Sequence, residues 1–204
     1  SPGCEGIVSI HISSAISGTY NSAMLAGTMV PDTPVEVIDT KLNSGGLALV
    51  VMAAARVANA GADLAAVVTE ARRVVSEVRM MALFDTMKYL AKGGRISPAI
   101  AVAAGILRVK PVLTFRDCVI VRAGLVRSRQ EGRVRLLRFL RRMLPLTEVA
   151  VSHSTSAEEL GRFLLDLRAA VGDVPVHVFQ MGAALGVHGG PGMIVVAGRR
   201  VRSA

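Results

Sequence analysis

The sequence predicts an α/β fold in two parts, and three observations lead to it. Short β-branched runs alternate with longer helical stretches through the first third of the chain, the order expected of a parallel layer with helical crossovers. Past Arg79 the texture changes to a strand, a short helix, a glycine break and two strands in succession, so a boundary is expected there, with parts 1–79 and 80–204. The 204 residues are 51% apolar but only 3% aromatic, with no tryptophan, so the chain can bury a sizeable core and that core must be aliphatic.

Residues 7–12 (Ile-Val-Ser-Ile-His-Ile) form the first expected strand, apolar on both faces like a central strand of a parallel sheet. A helix over 20–26 and a second strand over 35–38 follow, then helices over 46–60 and 63–76 separated by Gly61. Two strands make a small sheet for so apolar a first strand, so the first part is expected to be incomplete at its N-terminus. In the second part, strands are expected over 80–84, 109–115 and 119–122, with a short helix ending at Ala91 before the break Lys92-Gly93-Gly94-Arg95. Residues 131–144 read as a helix because Leu136, Leu137, Leu140, Met143 and Leu144 recur on one face. A strand over 149–152, a helix over 157–170, a strand over 174–179, a glycine-rich turn and a last strand over 193–197 complete the chain.

The net charge of +9 comes mostly from arginine and suits phosphates, nucleic acids, anionic membranes or an acidic partner without choosing among them. Cys4 and Cys118 are too few for a disulfide framework or a zinc site, and no spaced His/Cys/carboxylate cluster suggests another metal. A reduced cytoplasmic compartment is the default. Ser1-Pro2-Gly3 does not open a signal peptide, and no window offers about 18 uncharged apolar residues for a membrane span. A nucleophile elbow and a phosphate-binding P-loop are both missing.

Four segments could carry chemistry. In Ser13–Tyr20 a strand end passes into a helix start; Ser17 and Thr19 offer hydroxyls, and Gly18 lets a carboxylate or phosphate approach the free amides. Ser17 as a plain helix cap is the alternative. In Asp85–Ile96 the paired glycines would hold Arg95 at a fixed place, where its planar fork suits an anion; a helix C-cap with a solvated arginine explains the same residues. In Gly186–Gly192 no helix follows and no acidic residue stands about 20 positions on, which excludes a dinucleotide loop and leaves His188 held in a glycine-proline loop as a donor to an anion. The arginines between 127 and 142 lack an aromatic platform, so a solvated face or a docking surface for an acidic partner is expected in preference to nucleic-acid binding.

The order of these segments is more telling than any one of them. Residues 16–23 (Ile-Ser-Gly-Thr-Tyr-Asn-Ser-Ala), 37–41 (Val-Ile-Asp-Thr-Lys), 85–96, 109–113 (Val-Lys-Pro-Val-Leu) and 187–192 (Val-His-Gly-Gly-Pro-Gly) resemble the successive motifs of the DegV family. The resemblance implies two α/β domains, the first a parallel sheet with helices and incomplete at its N-terminus, the second a mixed sheet with helices. It implies a long-chain fatty acid in a buried slot, with no cofactor. The carboxylate ligands it implies are Ser17 and His188, with Gly18, Thr19, Arg95 and Gly189 around them and Arg127 facing a partner. That partner is implied to be a separate ATP-dependent fatty-acid kinase, to which the protein presents the carboxylate without being an enzyme itself; transient membrane contact is implied, and nucleic acid is not. The late motif of the family carries threonine where Gly189 stands, and the resemblance implies a further N-terminal stretch with a third carboxylate ligand. The competing reading is an enzyme or binder for a small carboxylated or phosphorylated metabolite, with Ser17 as nucleophile and His188 as base.

Overall fold

A computed structural model describes residues 4–96, 109–116 and 119–201, so Cys118 lies outside the described residues. Strand β1 (Ile7–His11) pairs in parallel with β2 (Val35–Asp39), Ile7 opposite Val35 and His11 opposite Asp39, with helix α1 (Thr19–Gly27) as the crossover. Helices α2 (Ser44–Asn59) and α3 (Leu64–Glu77) follow. Asp63 caps α3 by accepting the Ala66 amide, as an aspartate before an apolar-periodic run should.

The rest of the chain builds a six-stranded mixed sheet in the order β5-β4-β3-β8-β6-β7. Its strands are β3 (Val78–Leu83), β4 (Lys110–Arg116), β5 (Val119–Val126), β6 (Leu146–His153), β7 (Val176–Gln180) and β8 (Ile194–Arg200). Only the β6–β7 pair is parallel. Helix α4 (Lys88–Lys92) follows β3, while α5 (Arg129–Arg141), α6 (Ala157–Val171) and α7 (Ala183–Gly189) lie between the later strands. Ser128 and Ser156 cap α5 and α6 by accepting the amides of Glu131 and Glu159.

Because alternate residues of a strand face opposite sides, the central β8 can feed two cores at once. Val195 and Ala197 pack with Leu49, Val50, Ala53 and Met80 toward α2. Ile194 and Val196 pack with Leu136, Leu140, Phe163 and Leu167 toward α5 and α6. The first core also takes in Ile38 of β2 and partly buried Val8 and Ile10 of β1, so α2 is wedged between the small parallel sheet and the large mixed one. A wedge of this kind leaves a cleft wherever its side chains are too short to meet both sheets.

The sequence places nearly every element, with two instructive differences. Strands β5, β6 and β8 run longer than expected: β5 continues by pairing Val126 with Lys110 of β4, and in β6 and β8 polar residues such as Glu148 and Arg199 continue the ladder by pairing with each other across it. The glycine-rich segment is not all turn. Ala183, Ala184 and Leu185 are strong helix formers, and the helix they start runs to Gly189 before Gly190, at φ 72°, ends it. Among the described residues no helix is long and apolar enough to cross a membrane.

Candidate functional site

The site is built where parallel strands end, the usual position for a ligand in an α/β layer. Beyond β1 the chain turns at Ser13, which is buried and receives the amides of Ile16 and Ser17 on its carbonyl. This loop is tied to the one beyond β2: Ser14 Oγ donates to Asp39 Oδ2 at 2.6 Å, Thr40 Oγ1 to the His11 carbonyl at 2.8 Å, and the Ser13 amide to the Leu42 carbonyl at 2.8 Å. The two strand ends are therefore tied to each other. One carries Ser17 and the other carries Asn43 and Ser44.

From the opposite side come α4 and α7. Arg95, just past α4, donates from Nε to the Ile16 carbonyl at 3.2 Å and from a terminal nitrogen to the Gly93 carbonyl at 2.6 Å. It thus clasps the Ser17 loop to the end of α4. Gly93 lies so close to the His188 imidazole that any side chain there would strike Nδ1, and only glycine allows the approach. Ser17, Arg95, Gly93 and His188 consequently form one continuous series of contacts.

Between these elements lies a cavity of about 740 Å³, within the range of small-molecule sites. Leu47, Ala48, Val51 and Met52 of α2, Leu90, Ile120, Phe179 and Leu185 make its apolar wall. Ser17, Thr19, Asn43, Ser44, Arg95 and His188 are its polar residues. A narrower pocket of about 40 Å³ continues beneath it against Met80, Leu113, Phe115 and Val195 of the large sheet, sharing Asn43, Ser44 and His188 with the main chamber.

Of the residues singled out in the sequence, Ser17, Thr19, Arg95 and His188 line the main cavity together and Gly189 lines the inner pocket. Gly18 is exposed beside them at the N-cap of α1. Ser17 does act as a local cap, its Oγ accepting the Thr19 amide at 3.3 Å and lying 3.2 Å from Thr19 Oγ1. His188 sits in the last turn of α7, a correction to the expected loop, because Ala183–Leu185 start a helix that the glycine density conceals. The room that a side chain on residue 189 would need is filled by the Met193 thioether. Arg127 is exposed just past the end of β5, outside the cavity, where its amide donates to the Glu131 carboxylate at 2.8 Å beside the Ser128 cap.

Asn43 and Ser44 are the residues the sequence reading missed. Their signal was an Asn-Ser-Gly-Gly run at a helix start, which also describes an ordinary cap. Asn43 Oδ1, Ser44 Oγ and His188 Nδ1 are buried without a hydrogen-bond partner among the described residues.

A charged brace holds α4 and α7 in place. Asp85 accepts Lys110 Nζ and an Arg129 terminal nitrogen, each at 2.6 Å, and the same Arg129 nitrogen donates to the Gly192 carbonyl at 2.7 Å. Burial alone would raise the Asp85 pKa, but the bonds from Lys110 and Arg129 outweigh it and hold the carboxyl below its usual range. Arg129 also pairs with Glu159, whose carboxyl is likewise held low: burial would raise it, and the bonds from Arg129 and Thr155 prevail. Among the described residues, no group of three His, Cys, Asp or Glu could hold a metal ion.

Comparison with known proteins agrees with this architecture. The model of the family described as "Uncharacterised protein, DegV family" matches residues 1–199. A DegV domain-containing protein of Streptomyces coelicolor is 34% identical over 197 residues, covering 95% of this chain and 70% of that protein. Protein DegV of Bacillus subtilis is 31% identical over 195 residues, 94% of this chain and 69% of that one. The crystal structure of B. subtilis DegV, a fatty acid binding protein, superposes with a TM-score of 0.83 at 29% identity, covering 96% of this chain and 71% of that one. A DegV family protein of Thermus thermophilus, solved for its fatty acid binding, gives a TM-score of 0.87 at 28% identity over 98% of this chain and 72% of that one. A stearic acid-binding protein of Eubacterium ventriosum gives 0.85 at 27% identity, over 96% and 71%. With this fold and this match across nearly its whole length, the chain belongs to the DegV family.

Proposed function

We propose that the protein binds a long-chain fatty acid in the 740 Å³ cavity and presents its carboxylate to a separate ATP-dependent kinase. The observation that supports binding most strongly is the cavity's division of labour: an aliphatic wall contributed by α2, Ile120, Phe179 and Leu185, and polar groups brought together from four separate segments. Burying each methylene is worth about 0.8 kcal/mol, so a tail of some 16 carbons would gain roughly 10 kcal/mol before the costs of association. A buried carboxylate needs donors, and the Ser17 hydroxyl, the Arg95 guanidinium and the His188 ring line the same space. Three structurally similar relatives are fatty-acid-binding proteins, which favours the same class of ligand here.

The kinase step is a phosphoryl transfer from ATP to a carboxylate oxygen, giving an acyl-phosphate and ADP. The role of this chain in it would be to hold the acid so that its head can be reached, and the exposure of Gly18 and Thr19 beside the cavity and of Arg127 outside it suits that role. Incubating the loaded protein with an ATP-dependent fatty-acid kinase and labelled ATP tests this. Acyl-phosphate formed only when the protein is present is the expected result; none formed, with lipid demonstrably bound, would remove the kinase from the proposal. The competing enzyme reading needs the Ser17 hydroxyl against an oriented imidazole. Ser17 instead bonds Thr19, and His188 Nδ1 has no partner among the described residues to orient the ring.

A further inference from the structure

Asn43 Oδ1, Ser44 Oγ and His188 Nδ1 are buried at the wall of the slot, unpaired among the described residues. All three residues line both the main chamber and the inner pocket, as do Leu90, Ile120 and Leu185, so the three are the polar residues at the junction of the two. Buried polar groups without partners are uncommon in native interiors and usually mark a place where a missing partner belongs. Two local facts set Asn43 and Ser44 apart from ordinary packing. Asn43 occupies the N-cap of α2 with the extended backbone of a cap, where asparagine normally turns its side chain onto the first helical amides; here it makes no capping bond. Ser44 holds φ at 48°, a left-handed conformation uncommon for serine, and such residues gather at ligand sites because the surroundings impose them.

We infer that Asn43 and Ser44 are ligands of the acid head, closing from α2 a clamp whose other jaw is Ser17 and Arg95. This rests on the acyl-binding reading and adds to it the group that selects a carboxylate over other heads on the same chain. A carboxylate has two oxygens and about four acceptor positions. Ser44 Oγ can donate to one, and a half-turn of the Asn43 carboxamide presents its NH₂ in place of the oxygen. Arg95 supplies the opposite charge and His188 a ring N–H, so acceptors and donors match. An alkyl segment passing the junction would leave the same atoms unpaired.

The test compares stearic acid with 1-octadecanol, equal in chain and different in head, by displacement of a fluorescent fatty-acid probe from the full chain, with a thermal melt of each variant. Asn43→Asp keeps the shape of the side chain but sets a carboxylate against the acid head. Ser44→Gly removes the hydroxyl and accepts the left-handed backbone. Each substitution is expected to lower stearate affinity about tenfold or more, the equivalent of one hydrogen bond to a charged group, while octadecanol affinity and melting temperature hold. Wild-type binding of stearate with an unchanged acid-to-alcohol ratio in both variants would overturn the clamp and leave the acyl-binding reading standing. Equal losses for acid and alcohol would make the two residues mere wall and overturn the clamp as well. No stearate bound by the wild-type protein would overturn the acyl-binding reading, and the clamp with it.

Discussion

His188 reaches the cavity from the last turn of α7, against Gly93, and Ser17 reaches it from the loop beyond β1. On the proposed function, removing either side chain would delete a donor to the acid head, and neither belongs to the two apolar cores. Ser17→Ala and His188→Ala are each expected to weaken fatty-acid binding by about 1.5–3 kcal/mol, roughly ten- to a hundredfold, with an unchanged melting temperature. Fluorescent fatty-acid titration reads the first quantity and a thermal melt the second. Unchanged affinity in both variants would refute the assignment of the head site. Ser17, Arg95 and His188 were legible in the sequence because glycines and segment breaks set them in unusual surroundings. Asn43 and Ser44 were not, since a polar residue at a helix start is what capping alone requires, and that Asn43 makes no capping bond is visible only in the structure.

At the scale of elements, the join between α2, α3 and the large sheet depends on a buried ionic network. Glu148, 3% exposed on β6, accepts Arg56 of α2 at 2.7 Å, Arg199 of β8 at 3.1 Å and lies 3.1 Å from His177 Nε2 on β7. Arg199 in turn pairs with Glu77 at 3.0 Å and Glu70 at 3.3 Å, and both glutamates pair with Arg73 on α3. Burial would raise the Glu148 pKa, but the bonds from Arg56 and Arg199 outweigh it and hold the pKa below its ordinary 4.5. A depressed carboxyl contributes stability that is complete above its unfolded pKa and is lost as pH falls through the folded one. Thermal stability should therefore be level above about pH 5 and fall below about pH 4.5. Glu148→Gln is expected to cost about 1.5 kcal/mol at neutral pH, because it removes the charged acceptor shared by Arg56 and Arg199 while Arg199 keeps Glu70 and Glu77, and to flatten the acid decline. Melts of both proteins between pH 3 and 7 check this. A mutant as stable as the parent at neutral pH would show that the network contributes nothing to the join. None of it was legible in the sequence, because residues 70, 77, 148 and 199 are far apart along the chain and meet only where β6 and β8 run as neighbours. The strands and long helices were legible, since their periodicity is local. The helical turn at 183–189 was hidden by its glycines, and the strand lengths depended on partners distant in sequence.

Over the whole molecule, α2 wedges between a small parallel sheet and a large mixed one, and the cavity is the space that its short side chains, Ala48 and Val51 among them, leave unfilled. Arg127 is exposed outside the lining, so the proposed function assigns lipid holding and partner recognition to separate places. Arg127→Glu should reduce acyl-phosphate formation with a fatty-acid kinase several-fold, chiefly by slowing encounter and with a stronger effect at low salt, while leaving lipid affinity unchanged. Equal loss of both functions would place Arg127 in the fold's stability and not at a partner surface. Family membership and fold class were both legible from the order of the motifs. The boundary expected near residue 79 lies within β3 of the large sheet, and one apolar core runs from Ile38 through Leu49 to Val195, which no local pattern could announce. The measurement that tests the central claim most directly is mass spectrometry of the purified protein, first under native conditions and then after solvent extraction. A mass increment of one long-chain fatty acid per chain, recovered free in the extract, is the predicted result. No fatty acid in either spectrum, even after incubation with a mixture of chain lengths, would contradict it.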